Sequence, residues 1–195
     1  MAERRSALVE CRKPGAYGAA VPAGTGVTIQ EIRPLSAVQV AGFDGERAAA
    51  AIAAATGAPA PLARNGVGTA GETRVLWTGP SRWLVIEPES RDLAGLLARH
   101  CGVEAGAVTD LSHARTALRL EGQAVRSVLA KLCTLDVEAD GFPPGSCAQT
   151  LFGQIGVLLH CRTPDCFDIL MYRGFAVSAW ETISDAALEF GCRVL

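Results

Sequence analysis

Hydrophobic and polar residues change period along the chain, and each change marks an element. The clearest case is the stretch from Val108 to Val137. It opens on a polar turn with Asp110, Ser112 and His113. Ala114, Thr116, Leu118 and Leu120 then alternate with Arg115, Ala117, Arg119 and Glu121. That period of two puts the charges on one face and predicts a half-buried strand. After Gly122 the apolar positions are Ala124, Val125, Val128, Leu129 and Leu132, the spacing of an amphipathic helix. Arg126 and Lys131 are left to face water. A strand that turns at a glycine into a helix is a packed unit, and the other elements are arranged around it.

The same reading covers the rest of the chain. Residues 1–26 carry Arg4, Arg5, Arg12 and Lys13, followed by Pro14, Gly15, Gly18, Pro22, Gly24 and Gly26. That density of glycine and proline predicts neither a helix nor a central strand, but an extended N-terminal arm. The arm is either a frayed tail or a segment that docks on another surface. Val27 to Phe43 holds two extended runs divided by Arg33-Pro34, and Asp44 reads as the N-cap of an alanine-rich helix over Glu46–Thr56. Gly57 to Gly71 reads as a loop. Thr73–Thr78 and Arg82–Glu87 flank Gly79-Pro80-Ser81 and predict a hairpin, followed by a helix over Arg91–Cys101. Beyond Val137 come a loop over Asp140–Gly145 and three strands, Ala148–Gly153, Gly156–Arg162 and Cys166–Tyr172. A last helix over Phe175–Phe190 stops at Gly191.

These elements repeat. Strand, glycine, helix, loop, hairpin and helix occur twice in the same order, with Gly42 and Gly122 in matching places and an offset of about 80 residues. The order predicts an α+β fold made of two related halves, about 27–107 and 108–195, in one domain over 27–195. Antiparallel or mixed sheets are covered by helices, and the halves share a core.

Composition narrows the function classes. Hydrophobic residues make up 49% of the 195-residue chain, enough for a sizeable core. The formal net charge of −2 has no large single-sign block, so no broad nucleic-acid face is signalled. No run of about 18 apolar residues is present to span a membrane. MAERRSALVE has no following apolar core of signal-peptide type, so a cytoplasmic protein is expected. The seven cysteines, an odd number, are read as reduced thiols in core elements. Cys161 and Cys166 could meet across a hairpin. His160 and Cys161, neighbours on a predicted strand, point to opposite faces and do not share a metal.

Other residue groups suggest chemistry less strongly. Asp110, Ser112 and His113 have the residue types of a hydrolytic triad, but four consecutive positions are too close for its triangle. The simpler reading is that Asp110 or Ser112 satisfies backbone amides at a turn. Gly66-Val67-Gly68 and Gly71 lack the strand-turn-helix setting of a phosphate loop. Trp77 and Trp83, facing each other across the hairpin, and Trp180 read as core or interface anchors.

Asp110-Leu111-Ser112-His113, Gly122, Ala124, Leu129 and Leu135-Asp136-Val137 resemble the folate-binding family of glycine-cleavage T-protein (aminomethyltransferase). With the hairpins Arg74–Pro88 and Gly156–Tyr172 included, the chain from about residue 6 is most similar to the gamma subunits of heterotetrameric sarcosine oxidases. The resemblance implies a folate-binding-domain-like, two-copy fold. It also implies a complex that demethylates sarcosine oxidatively to glycine, passes the one-carbon unit to tetrahydrofolate and produces hydrogen peroxide. Alpha, beta and delta subunits are the implied partners. NAD and the folate domain are expected on alpha, FAD and covalently attached FMN on beta, and zinc on delta, with no cofactor on this chain. In the T-protein pattern, a strand after the Asp-x-Ser-His turn supplies carboxylates for one-carbon transfer. The corresponding strand here is Ile155-Gly156-Val157-Leu158-Leu159-His160, without acids; Asp165 and Asp168 lie in the next turn and strand. A structural, assembly-type subunit with no catalytic, cofactor-binding or metal-binding residues of its own is therefore expected. The alternatives are a stand-alone folate-dependent aminomethyl or one-carbon transferase, a gamma-type subunit of an oxidase or dehydrogenase acting on another N-methyl or secondary amine, and a scaffold domain without an oxidase partner.

Overall fold

The computed structural model describes residues 5–22 and 26–195, and no helix among them is long and apolar enough to cross a membrane. The chain divides into two compact units. One comprises residues 33–113 and 145–148, the other residues 1–32, 114–144 and 149–195.

The first unit is an antiparallel sheet under two helices. Its strands are β3 (Leu35–Gly42), β4 (Val67–Ala70), β5 (Thr73–Gly79), β6 (Arg82–Pro88) and β7 (Gly106–Asp110), in the order β4-β5-β6-β3-β7. Helix α1 (Gly45–Thr56) starts where predicted, because the Asp44 carboxylate accepts from the amides of Glu46 and Arg47. Helix α2 (Leu93–Ala105) is capped by Asp92, which accepts from the Gly95 amide. Val38, Val40, Val75, Trp83 and Val85 form a core with Ala48, Ile52 and Ala55 of α1 and with Leu93 and Leu97 of α2. Alanines on α1 let the helix lie close to the sheet. The sheet's bulk comes from Trp83, which is fully buried and donates its indole N–H to the Pro61 carbonyl at 2.7 Å.

The loop expected over Gly57–Gly71 contains β4, the edge strand. Gly68 is required there by close packing: a Cβ would lie 1.6 Å from the Pro59 carbonyl oxygen. Backbone approach, not phosphate binding, accounts for this glycine.

The second unit has seven strands. They are β1 (Gly15–Tyr17), β2 (Val27–Glu31), β8 (Arg115–Glu121), β9 (Cys147–Phe152), β10 (Ile155–Thr163), β11 (Cys166–Tyr172) and β12 (Cys192–Val194). The order is β1-β12-β2-β8-β11-β10-β9, with β12 parallel to β2. Helices α3 (Val125–Leu132) and α4 (Ala176–Ala187) belong to this unit, and α4 is flanked by short 3₁₀ turns. Gly122, between β8 and α3, has φ 139°, and a Cβ there would lie 2.0 Å from the Gly26 carbonyl oxygen. The strand-to-helix turn therefore needs glycine.

In chain order residues 35–110 and residues 115–194 both run strand, helix, strand, hairpin, helix, strand. β4-β5-β6-β3 in one sheet has the same neighbour order as β9-β10-β11-β8 in the other. The sheets differ beside the first strand of each series. β7 pairs with β3, whereas the place beside β8 is taken by β2. Residues 27–31 thus lie with the segment after residue 113, not with the residues that directly follow them.

Residues 5–22, read as part of an arm, lie on the second unit's own surface. β1 pairs with β12, Leu8 is fully buried, and the Ser6 hydroxyl bonds both oxygens of Glu31 at 2.8 and 2.7 Å. Arg12 donates to the Leu195 carbonyl at 2.9 Å, and Arg173 donates to the Arg5 carbonyl at 2.7 Å. Glycines and prolines prevent a central strand here but not a three-residue edge pairing. Residues 1–4 and 23–25 of the arm lie outside the described residues.

Candidate functional site

The Asp110–His113 turn follows β7 at the edge of the five-stranded sheet. Asp110 Oδ1 accepts from the Ser112 amide at 2.9 Å and from the Ser112 hydroxyl at 2.5 Å. Ser112 Oγ in turn accepts from the Ala37 amide at 3.0 Å, and Leu111 N–H donates to the Ala37 carbonyl at 2.8 Å. The turn therefore clamps the start of β3. Ser112 is buried while His113 is exposed, so imidazole and hydroxyl are not brought together. This is a backbone-satisfying Asx turn.

A second polar group lies on the seven-stranded sheet. Register places Gln30, Arg119, Asp168 and His160 in one row across β2, β8, β11 and β10. Asp168 accepts from Arg119 Nε at 2.8 Å and Arg119 Nη2 at 3.1 Å, and Arg162 Nη1 lies 3.4 Å from its other side. His160 Nδ1 lies 4.0 Å from the same carboxylate. Asp168 and His160 are almost wholly buried, and a carboxylate in that setting needs paired cations to stay ionised. The other face of these strands carries Leu118, Leu120, Leu159, Cys161, Phe167 and Ile169, all buried. Asp165 is different: it sits exposed in the turn between β10 and β11, where its carbonyl accepts from the Gly122 amide at 2.9 Å.

Arg126 corrects the sequence reading, which left it facing water. Its guanidinium donates to the carbonyls of Pro164 (2.9 Å), Phe142 (3.3 Å) and Val137, and it sits 5.0 Å over the Phe167 ring. The loop after α3 folds back over the helix start, and one planar cation satisfies carbonyls from two segments. Lys131, by contrast, reaches the surface and pairs with Glu189 at 2.9 Å.

All seven cysteines are free thiols. Cys161 and Cys166 do not join across the hairpin: Cys161 is opposite Phe167, and its thiol donates to the Thr163 carbonyl at 3.3 Å. Burial pushes the Cys147 thiol up to about 12, against a bond to the Trp77 carbonyl. Burial, aided by the Asp168 charge, pushes Cys166 up to about 11. Thiols so raised are poor nucleophiles and poor metal ligands. Among the described residues no group of three His, Cys, Asp or Glu side chains could hold a metal ion. Trp77 and Trp83 are register partners in the β5–β6 hairpin, with Trp83 in the core and Trp77 half-buried.

The fold defines the class first. The chain matches the aminomethyltransferase T of the glycine cleavage system from Bartonella henselae with a TM-score of 0.62, over 88% of this chain and 48% of that one. At 14% identity this is a likeness of fold alone. The family follows from closer matches. The model of the "Sarcosine oxidase, gamma subunit family" matches residues 42–189. The sarcosine oxidase subunit gamma of Arthrobacter sp. is 36% identical over 165 residues, 84% of this chain and 81% of that protein. A chain of the heterotetrameric sarcosine oxidase from Corynebacterium sp. U-96, solved in complex with pyrrole 2-carboxylate, matches with a TM-score of 0.81 at 32% identity, covering 89% of this chain and 88% of that one. The chain belongs to the sarcosine oxidase gamma subunit family.

Proposed function

We propose that this chain is the gamma subunit of a heterotetrameric sarcosine oxidase and acts as a structural, assembly-type subunit with no active site of its own. The observation that carries the second part is the state of Asp168. It is the buried carboxylate nearest the acid-free strand Ile155–His160, and it is gripped by Arg119 and Arg162. Its oxygens are committed to the sheet, so these residues do not fit the carboxylate that folate-dependent one-carbon transfer needs. The Asp110–Ser112 pair is committed to the β3 backbone in the same way. FAD, FMN, NAD, tetrahydrofolate and zinc then belong to the alpha, beta and delta partners, and the complex oxidises sarcosine in the cytoplasm. The equal neighbour order of β4-β5-β6-β3 and β9-β10-β11-β8 supports a folate-domain-like fold built by duplication.

The test is purification of the chain alone and with its co-expressed partners. The expected result is a stable complex that oxidises sarcosine, and an isolated chain that carries no flavin and gives no change on fluorescence titration with tetrahydrofolate. Tight folate binding by the isolated chain would overturn the reading in favour of a stand-alone transferase.

A further inference from the structure

At the junction of β11 and α4, the chain turns outward three large apolar side chains within six residues. Tyr172 is 50% exposed, Phe175 51% and Val177 43%. Apolar side chains exposed singly are ordinary, but a run of this kind is not. Beside it, Arg115 is the register partner of Tyr172, and its guanidinium lies 3.8 Å from the centre of the Tyr172 ring. The Arg115 Nε is fully buried and makes no hydrogen bond among the described residues. Burial lowers the guanidinium's pKa from its usual value.

Arg173, next in the chain to Tyr172 and exposed, adds a positive charge. Arg173 reaches the Arg5 carbonyl, and Arg5 has already drawn Glu10 to 3.3 Å. Tyrosine, phenylalanine and arginine together are the composition of an interface centre. A planar guanidinium held on a ring, its Nε without an acceptor among the described residues, is preorganised for a carboxylate.

We infer that this patch docks a partner subunit of the oxidase, which presents an acidic side chain to Arg115 and apolar side chains to Tyr172, Phe175 and Val177. The inference rests on the proposed role as gamma subunit. The test is competitive incorporation. Wild-type and variant chains carrying different tags are expressed together with the partner subunits, and their ratio in the purified complex is compared with their ratio in the soluble lysate. Phe175→Asp and Val177→Asp change exposed side chains, and Arg115→Gln removes the charge with little loss of volume. Each is expected to be incorporated at least tenfold less than wild type. Phe43→Asp and Val103→Asp, at side chains 73% and 90% exposed elsewhere on the chain, are expected to be incorporated equally with wild type. Equal incorporation of the three patch variants, or equal loss for patch and control variants, overturns the inference while leaving the gamma-subunit reading intact. Failure of the wild-type chain to enter any complex overturns both.

Discussion

Asp168 on β11 and Arg119 on β8 sit directly opposite each other in the sheet and are joined by two hydrogen bonds, at 2.8 and 3.1 Å. The pair links the interior of the second unit to the functional conclusion, because the same contact that stabilises the sheet occupies the carboxylate. Asp168→Asn should cost about 2–3 kcal/mol, below the loss usual for a fully buried pair because Arg119 is partly exposed. Arg119→Met should cost less, since Arg162 still faces the carboxylate at 3.4 Å. Urea unfolding of the two variants measures the difference, and the reverse ranking would contradict the assignment.

The N-terminal segment contributes to the fold. Leu8 is fully buried and β1 closes the sheet against β12, so Leu8→Ala should cost about 2–5 kcal/mol. Removing residues 1–22 should lower the thermal midpoint of the isolated chain. An unchanged midpoint would mean that the segment is only a tail.

Glu87 sets an acid limit on stability. Burial acts to raise its pKa, but hydrogen bonds from Arg91 (2.6 and 2.7 Å) and Thr73 (2.7 Å), with the Arg91 charge, outweigh it and leave the pKa below the usual value of 4.5. The unfolded chain therefore binds this proton more readily. The contribution is fully present above about pH 4.5 and is lost as the pH falls through the lower folded value. Glu87→Gln should flatten the acid limb of a stability-against-pH curve between those values, and an unaltered limb would rule the contact out.

The thiols should be slow to react. With Cys147 at about 12 and Cys166 at about 11, little thiolate exists at neutral pH. Iodoacetamide labelling read by mass spectrometry should spare both in the folded protein and modify all seven cysteines in denaturant. Fast labelling of Cys166 in the folded state would contradict the buried placement.

The sequence was legible where one element carries its own period. The strand Arg115–Glu121, the turn at Gly122, the helix after it and both hairpins lie where alternation and turn residues place them. It was not legible where pairing is long-range or the element is short. Gly15–Tyr17 finds its partner at Cys192–Val194, near the other end of the chain, and three residues carry no readable period. β4, β7 and β12 escaped for the same reason. The charged residues Arg119 and Asp168 were visible individually, but their meeting depends on strand order and register. The departure of Arg126 from solvent depends on how the following loop folds back.

The proposed role is that of a chain needed for assembly that brings no chemistry of its own. The most direct measurement is the subunit content and sarcosine-oxidising activity of the complex purified from cells expressing the partner subunits with and without this chain. The predicted result is an active complex containing one copy of each of the four chains when it is present, and loss of stable assembly when it is absent. A complete, equally stable and equally active oxidase formed without this chain would contradict the account.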